Sequence, residues 1–468
     1  MEMSIPSRNE NTDLLIHVQI FKTSSGQMYA YDPFTNRILK IHSSLYHGID
    51  EATVVTKIRS YLEQNRLTQV GTFTSAQWRK DISTNVGSQL KTLVLQISRR
   101  CNLACEYCVY SGNYRHMHPH ADEDMTKATL MQSIDYFAKH CSQTDSLGIS
   151  FYGGEALLQF ELVRYGVEYA RRKLNGKKIS FSISSNGTTL DSSVVNWLCE
   201  NPDVSVTITV NGPFHDQYRK TVSGHGSLSL IMKKLNHIKH NYPAIWHNQI
   251  RFIANKTSDI QLEELRYFYE EEIGKPPEIV TAIRDDMGNQ HIKSMLNLHN
   301  DSTASVQRLY KEYVTTKVPF LQACFDPRVA ILHDREIYTD DTVAYVSSCV
   351  PMSNRLFVRS DGSFNICERV SDELYMGCPQ DGVDAAITRD LCSKLLCFVE
   401  KQCLTCWAQR LCTFCFQDII DENGTIIDHM PDGWCDRARK NLLESLIIYC
   451  ELSEKSPERL DEFDVPAK

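Results

Sequence analysis

A chain of 468 residues, 42% hydrophobic and 23% charged, has the composition of an ordinary globular protein with room for about three domains. A formal net charge of −8 leaves no basic footprint for nucleic acid, and no apolar run approaches the ~20 residues that cross a bilayer. Neither nucleic acid nor a membrane is an expected partner. The polar start, Met1 to Asp13, has no apolar signal core, which predicts a cytoplasmic protein. Seventeen cysteines are unusual there, because cytosolic thiols more often bind metal or do redox chemistry than form disulfides. None precedes Cys101, and twelve fall between Cys324 and Cys450.

Residues 1–90 read as a small separate module and a linker. Strands are predicted at Leu14 to Phe21, Gln27 to Tyr31 and Arg37 to His42, with turns at Ser24-Ser25-Gly26 and Asp32-Pro33. Ile49 to Leu67 reads as a helix with Val54, Ile58 and Leu62 on one face, and 68–90 as a polar linker. Residues 91–300 alternate strand and helix. The strands are Thr92 to Ile97, Leu147 to Tyr152, Lys178 to Ser184, Val204 to Val210, Gln249 to Ala254 and Glu278 to Ile283. Six such units predict an α/β fold with a parallel sheet covered by helices, whose sites lie at the carboxyl ends of the strands. Residues 301–345 read as a helix and a connector bridging to the next region. Residues 346–452 are cysteine-rich and poor in periodic segments, so metal is expected to hold them together, with a short helix from Leu442 to Leu452. The charged tail, 453–468, reads as frayed.

Cys101, Cys105 and Cys108 follow the first of the six strands with the spacing C-x3-C-x2-C. Structural zinc takes four ligands, whereas three thiolates suit a four-iron cluster with one iron left open for a small molecule. Gly153-Gly154-Glu155 ends the second strand, Ser184-Ser185-Asn186-Gly187-Thr188 the third, and Asn211-Gly212-Pro213 the fourth, with His215, Asp216 and Arg219 just beyond. The triplet resembles the cluster motif of the radical S-adenosylmethionine (SAM) enzymes. That resemblance implies an open partial (β/α)6 barrel, SAM as cofactor and a [4Fe–4S] cluster on the triplet. It implies that Gly153, Gly154 and Glu155 bind the amino group of SAM. Ser185 and Asn186 would lie near its ribose or carboxylate, and Tyr107 against its adenine. Arg219 would pair with the SAM carboxylate or form a surface salt bridge. Asn211 stands where the family often has Asp, which leaves its role open. No side chain is assigned as a catalytic acid or base, because the cofactors carry the radical chemistry.

Further on, Cys349-x12-Gly362-x4-Cys367 is followed by Cys403-x2-Cys406-x5-Cys412-x2-Cys415 and Cys435. This resembles the SPASM extension of peptide-modifying radical enzymes, with one residue fewer between the last close pair. The resemblance implies two auxiliary iron–sulfur clusters. The outer is held by Cys403, Cys406, Cys412 and Cys435. The inner is held by Cys349, Cys367 and Cys415, with Cys324 or Cys378 as fourth ligand or an iron left open. Residues before Leu90 resemble the winged-helix-like recognition element of ribosomal peptide (RiPP) maturases, which takes a leader peptide as an added strand. The implied activity is thioether formation in a cysteine-rich precursor peptide, with an electron donor such as ferredoxin or flavodoxin. Carbon–carbon linkage, formylglycine formation of the sulfatase-maturating type, or a non-catalytic iron–sulfur or zinc scaffold are the alternatives. His116, His118 and His120 read as solvated or substrate-facing, and Cys141 and Cys199 as buried small hydrophobes.

Overall fold

The computed structural model describes residues 18–48, 51–64, 87, 89–114, 116–141, 146–256, 261–283, 304–337 and 349–464. Residues 68–86 and 88 of the predicted linker, both ends of the first predicted helix and the first part of the first predicted strand lie outside these residues.

At the start, β1 (Gln19–Lys22), β2 (Met28–Asp32) and β3 (Arg37–Lys40) form an antiparallel sheet, followed by α1 (Glu51–Gln64). Alternation along the strands gives the sheet two apolar faces. Val18, Ile20 and Ala30 pack with Val54, Ile58 and Leu62 of α1. Phe21, Tyr29 and Tyr31 pack on the other side against Leu332, Leu411, Leu446 and Cys450. The module is therefore not separate: its second face completes the core of the cysteine-rich region.

The central sheet has eight strands. The six expected ones are β4 (Thr92–Ser98), β6 (Ser146–Gly153), β7 (Lys178–Ser185), β8 (Val204–Thr209), β10 (Ile250–Lys256) and β11 (Ile279–Ala282). They lie in that order and every neighbouring pair is parallel. Helices α2 (Lys127–His140), α3 (Phe160–Lys173), α4 (Ser192–Glu200), α5 (Leu228–Asn241) and α6 (Leu262–Tyr267) return the chain between strands. Two short strands, β5 (Leu103–Cys105) and β9 (Arg219–Thr221), pair with each other beyond the sheet.

The seventh and eighth strands come from the cysteine-rich region. β12 (Arg355–Val358) adds in parallel beside β4, and β13 (Phe364–Asn365) pairs antiparallel with β12. Gly362, at φ 95°, makes the turn between them, a conformation that strains any residue with a Cβ. The glycine in the Cys349–Cys367 spacing is thus a hairpin turn, and the two cysteines flank the hairpin.

Four further expectations change. Helix α7 (Ala304–Thr315) is joined by α8 (Pro319–His333), so the bridging region holds two helices. The cysteine-rich region contains α9 (Ala385–Gln402), whose Leu391, Leu395, Leu396, Phe398 and Val399 are buried and whose N-terminus is capped by Asp384. The last helix, α10, runs over Trp434–Lys455 rather than Leu442 to Leu452. The tail does not fray at once: Arg459 is buried and donates to the carbonyls of Tyr313 and, at 2.9 Å, Thr316 at the end of α7. Among the described residues no helix is long and apolar enough to cross a membrane.

The two-sided burial of the first sheet makes a prediction. Tyr31 is fully buried, its ring is 6.2 Å edge-on from Trp407, and its hydroxyl donates to Asn36 at 2.7 Å. Tyr31→Ala is expected to cost about 3–5 kcal/mol and Tyr31→Phe about 1 kcal/mol. Thermal melts of both variants check this; an unshifted Tyr31→Ala would mean that the sheet is not docked.

Candidate active site

The triplet loop leaves β4 and is fixed at its base. Asp124 accepts from Ser98 Oγ at 2.6 Å, from Arg100 and from Gln159 Nε2 at 2.6 Å. The end of β6 then lies directly on this loop: Gly154 N donates to Ser98 O at 2.8 Å and Glu155 N to Arg100 O at 2.8 Å. A Cβ at Gly153 would sit 2.1 Å from Ser98 O, and one at Gly154 2.2 Å from Arg100 O. The paired glycines therefore allow a backbone-to-backbone contact with the loop that carries Cys101.

Glu155 is fully buried. Its Oε1 accepts from Ser185 Oγ at 2.9 Å and Leu157 N at 3.1 Å, and its Oε2 from Asn186 N at 2.6 Å. Burial raises its pKa, while these donors and Arg219 favour the carboxylate. Both oxygens are engaged by the protein, and Glu155 ties the ends of β6 and β7 together. Asn186 Nδ2 donates to Asn102 Oδ1 at 2.8 Å and reaches to 3.8 Å from Cys101 Sγ. Asn102 in turn donates to Thr188 Oγ1 at 2.8 Å. Asn102 carried no signal in the sequence beyond its place inside the triplet.

Tyr107 organises the other side. Its hydroxyl accepts from Asn211 Nδ2 at 2.8 Å, Arg219 Nη1 at 3.0 Å and Asn255 Nδ2 at 3.4 Å. Asn211 thereby gains a place, holding both Tyr107 and, through Oδ1, the backbone of Asn255 at 3.0 Å. An amide can donate to a hydroxyl where a carboxylate can only accept. Arg219 is 7% exposed, which rules out the surface salt bridge. It pairs across β5 and β9 with Cys105, and its charge lowers the pKa of Cys105 and Cys108 against burial. His215 Nδ1 accepts from Asn211 N at 3.2 Å, so Nε2–H faces Ser227 Oγ at 3.1 Å, and that hydroxyl donates to Arg219 O at 2.7 Å. Burial drives His215 down to about 3.

The three thiols are close enough to perturb one another. Burial pushes Cys101 up to about 11 and Cys108 to about 12. Arg219 Nε is buried with no hydrogen-bond partner, so Arg219, paired across the strands with Cys105, keeps an unused donor for an anionic group. Three soft thiol ligands with an adjacent fixed cation suit an iron–sulfur cluster and a carboxylate-bearing cofactor. Among the described residues no three such side chains converge as ligands of a single ion do. A four-iron cluster spreads its cysteines over different irons and does not need that convergence.

The later cysteines gather in two groups. Cys403, Cys406, Cys412 and Cys435 perturb one another, and Arg439 Nη1 lies 4.0 Å from Cys406 Sγ. Cys367 lies near Cys415, and Cys349 and Cys367 both face the Arg355–Glu368 ion pair. Neither fourth-ligand candidate joins them. Cys324 sits on α8 against Lys256 and Arg328, and Cys378 donates to Asp381 at 3.3 Å in a short hairpin. The thiol near Cys349 is instead Cys392, buried on α9, which sequence spacing did not single out.

The histidine loop is not simply solvated. His116 is buried, its backbone accepts from Asp372 N at 3.0 Å, and His120 Nδ1 donates to Arg99 O at 3.0 Å with Nε2 3.9 Å from Cys108 Sγ. His118 pairs with Glu373 at 3.1 Å. The loop thus docks the triplet onto the cysteine-rich region. Cys199 is exposed because the buried face of α4 is Val194, Val195, Trp197 and Leu198, and Cys141 is half-buried at the end of α2.

Residues 95–250 match the radical SAM superfamily. A serine-type anaerobic sulfatase-maturating enzyme of Bacteroides thetaiotaomicron is 27% identical over 184 residues, 39% of this chain and 44% of that protein. The radical SAM cyclopropyl synthase TigE of Paramaledivibacter caminithermalis is 23% identical over 46% of this chain and 48% of its own length. The chain thus spans less than half the length of these curated relatives. The solved structure of anSMEcpe with bound AdoMet and Kp18Cys peptide superposes with a TM-score of 0.54 at 19% identity, covering 79% of this chain and 98% of that one. Residues 95–250 are a radical SAM domain, and the α/β fold is that of the radical SAM enzymes. This superfamily uses SAM and a [4Fe–4S] cluster.

Two outcomes are expected from this geometry. Gly154→Ala forces the loop and the β6 end apart and should cost about 1–3 kcal/mol. Gly148→Ala, whose added Cβ meets only side chains at 3.7 Å or beyond, should melt near wild type. Amide exchange at residues 98–101, faster only in Gly154→Ala, checks the location. Because His215 stays neutral when folded but takes a proton when unfolded, stability is lost as pH falls below about 6.5 toward 3. The His215 share at pH 5 is about 2 kcal/mol. His215→Gln should flatten the dependence of melting temperature on pH between 7 and 5, and an unchanged slope would refute it.

Proposed function

We propose that the protein is a radical SAM maturase that forms thioether links between cysteine sulfur and carbon in a ribosomal precursor peptide. The observation that carries this reading is the convergence of Cys101, Cys105 and Cys108 with the Gly153–Glu155 segment, Asn186 and Arg219 in a radical SAM domain. Cys101, Cys105 and Cys108 hold the [4Fe–4S] cluster, and Gly153, Gly154, Ser185 and Asn186 line the SAM site. When bound there, the cluster and SAM would supply one-electron reductive chemistry able to remove hydrogen from the peptide. The chain's own residues bind, orient and exclude water. Glu155 sets the positions of Ser185 and Asn186, and the free Nε of Arg219 receives the SAM carboxylate. Asn211, Arg219 and Asn255 fix the ring of Tyr107 beside adenine.

Cys403, Cys406, Cys412 and Cys435 hold the outer auxiliary cluster of a SPASM domain, and Cys349, Cys367 and Cys415 the inner one. An external donor such as ferredoxin or flavodoxin supplies electrons. The winged-helix-like first module takes the leader along the edge strand β3, whose Arg37 and Lys40 are exposed. The sulfatase-maturating relatives favour a second reading, oxidation of a Cys or Ser to formylglycine.

Anaerobic incubation of the iron-loaded protein with dithionite, SAM and a cysteine-rich precursor peptide, read by mass spectrometry, separates these. A peptide lighter by two hydrogens with one fewer alkylatable thiol is the expected product. An aldehyde captured by a hydrazide reagent would replace the thioether reading with the formylglycine one. Absence of deoxyadenosine would sink both.

A further inference from the structure

A cavity of about 710 Å³ lies away from the cysteine triplet. Its inner wall is the carboxyl ends of β10 and β11, with Lys256 and Ala282. Its outer walls are α7, α8 and α10, and Ser24 from the β1–β2 turn closes one end. The cavity therefore touches both the first module and the rim of the barrel. Asn255, one residue before Lys256, turns to the opposite face of β10 and reaches Tyr107. A single strand separates the cavity from the candidate active site.

Its chemistry is one-sided. Lys256 is nine-tenths buried at the inner wall and Arg328 is half-buried beside it. Lys311, Arg437 and Lys440 stand exposed at the rim. Among the described residues, Lys311, Arg328, Arg437 and Lys440 have no carboxylate within ion-pair distance; Arg328 reaches only the Tyr310 hydroxyl at 3.4 Å. Against these stand Glu444 and Glu451, and Glu451 is already engaged by Ser24 N at 2.7 Å and Lys455 at 3.3 Å. Burial pulls Lys256 down to about 8, which leaves it largely protonated at neutral pH. A chain of net charge −8 has thus concentrated cations in one partly enclosed space. Between them the wall is apolar, with Val280, Val314 and Ile448. Such a surface suits an extended segment that alternates carboxylates with aliphatic side chains, and low-dielectric walls strengthen the attraction.

We infer that this cavity binds a carboxylate-bearing stretch of the peptide substrate, between the part held by the first module and the part presented to the barrel. The inference rests on the peptide reading above and deepens it. It gives that substrate acidic residues interleaved with aliphatic ones.

The test uses the full-length, iron-loaded protein and a fluorescein-labelled peptide of alternating Leu and Glu, followed by fluorescence anisotropy. The wild type should bind it, more weakly as salt rises, and should not bind the alternating Leu and Lys peptide. Arg328→Glu with Lys440→Glu should weaken binding roughly tenfold or more, a loss of about 1.4 kcal/mol. Arg328→Lys with Lys440→Arg should bind like wild type, which separates charge from folding. Equal binding by the charge-reversed protein, or comparable binding of the Leu and Lys peptide, would overturn the inference. Deoxyadenosine release from SAM without any peptide, measured on the same proteins, reports on the reaction class alone. Release with unaltered binding sinks the cavity and spares the reaction. No release, with binding lost on charge reversal, does the reverse.

Discussion

Everything at the candidate site depends on how closely the end of one strand lies on the loop of its neighbour. Two backbone hydrogen bonds, Gly154 N to Ser98 O and Glu155 N to Arg100 O, join β6 to the segment that leads into Cys101. There is no room for a Cβ on either glycine. That contact puts Glu155 beneath the site and out of water. A buried carboxylate is costly unless its oxygens are satisfied, and here Ser185, Asn186 and Leu157 satisfy them. Satisfying Glu155 in turn fixes the end of β7, so Asn186 reaches back toward Cys101. One steric constraint thus propagates through three strand ends.

The cysteine-rich region is bound to the same sheet, not appended to it. β12 extends the sheet beside β4, the strand that delivers the triplet. The hairpin that it forms with β13 has Cys349 before it and Cys367 after it. The histidine loop adds a second tie, since His116 and His118 meet Asp372 and Glu373 just past Cys367. The first module closes the far side: Tyr31 packs on Trp407, which lies between Cys406 and Cys412. Both thiol groups and the triplet are therefore held by one continuous packing arrangement, in which a shift of the hairpin would reach β4 directly.

Much of this was legible beforehand, for physical reasons. The six parallel strands are apolar runs separated by helices of ordinary length, and the period changes cleanly between them. The thiol spacings are local, so Cys101, Cys105 and Cys108, and likewise Cys403, Cys406, Cys412 and Cys435, were grouped in advance as the structure groups them. What was not legible is what depends on distant partners. β12 is too short to announce a parallel strand added from about 260 residues away. Arg219 read equally as a partner of the SAM carboxylate and as a surface salt bridge, because nothing local shows that β9 pairs with β5. Cys392 carried no spacing signal, since a helix turn brings it to Cys349 rather than a motif. Arg459 seemed part of a charged tail, yet it ends buried because the last carbonyls of α7 need donors.

Metal was expected to hold the cysteine-rich region together, and the structure packs it into the core of the central sheet. Leu391, Leu395, Leu396, Phe398 and Val399 of α9 join Phe414, Phe416 and Ile419 in the same apolar cluster as the central sheet. Such packing supplies what a zinc-finger-sized domain lacks, enough buried apolar surface to order the chain before metal binds. Burial then holds the thiols in their protonated form, with Cys367 and Cys412 both raised to about 12. A metal arriving there must displace those protons, so affinity rises with pH even though the ligands are already in place. Packing here fixes where the thiols sit rather than how readily they ionise, so their places relative to the parallel sheet are set before any metal arrives.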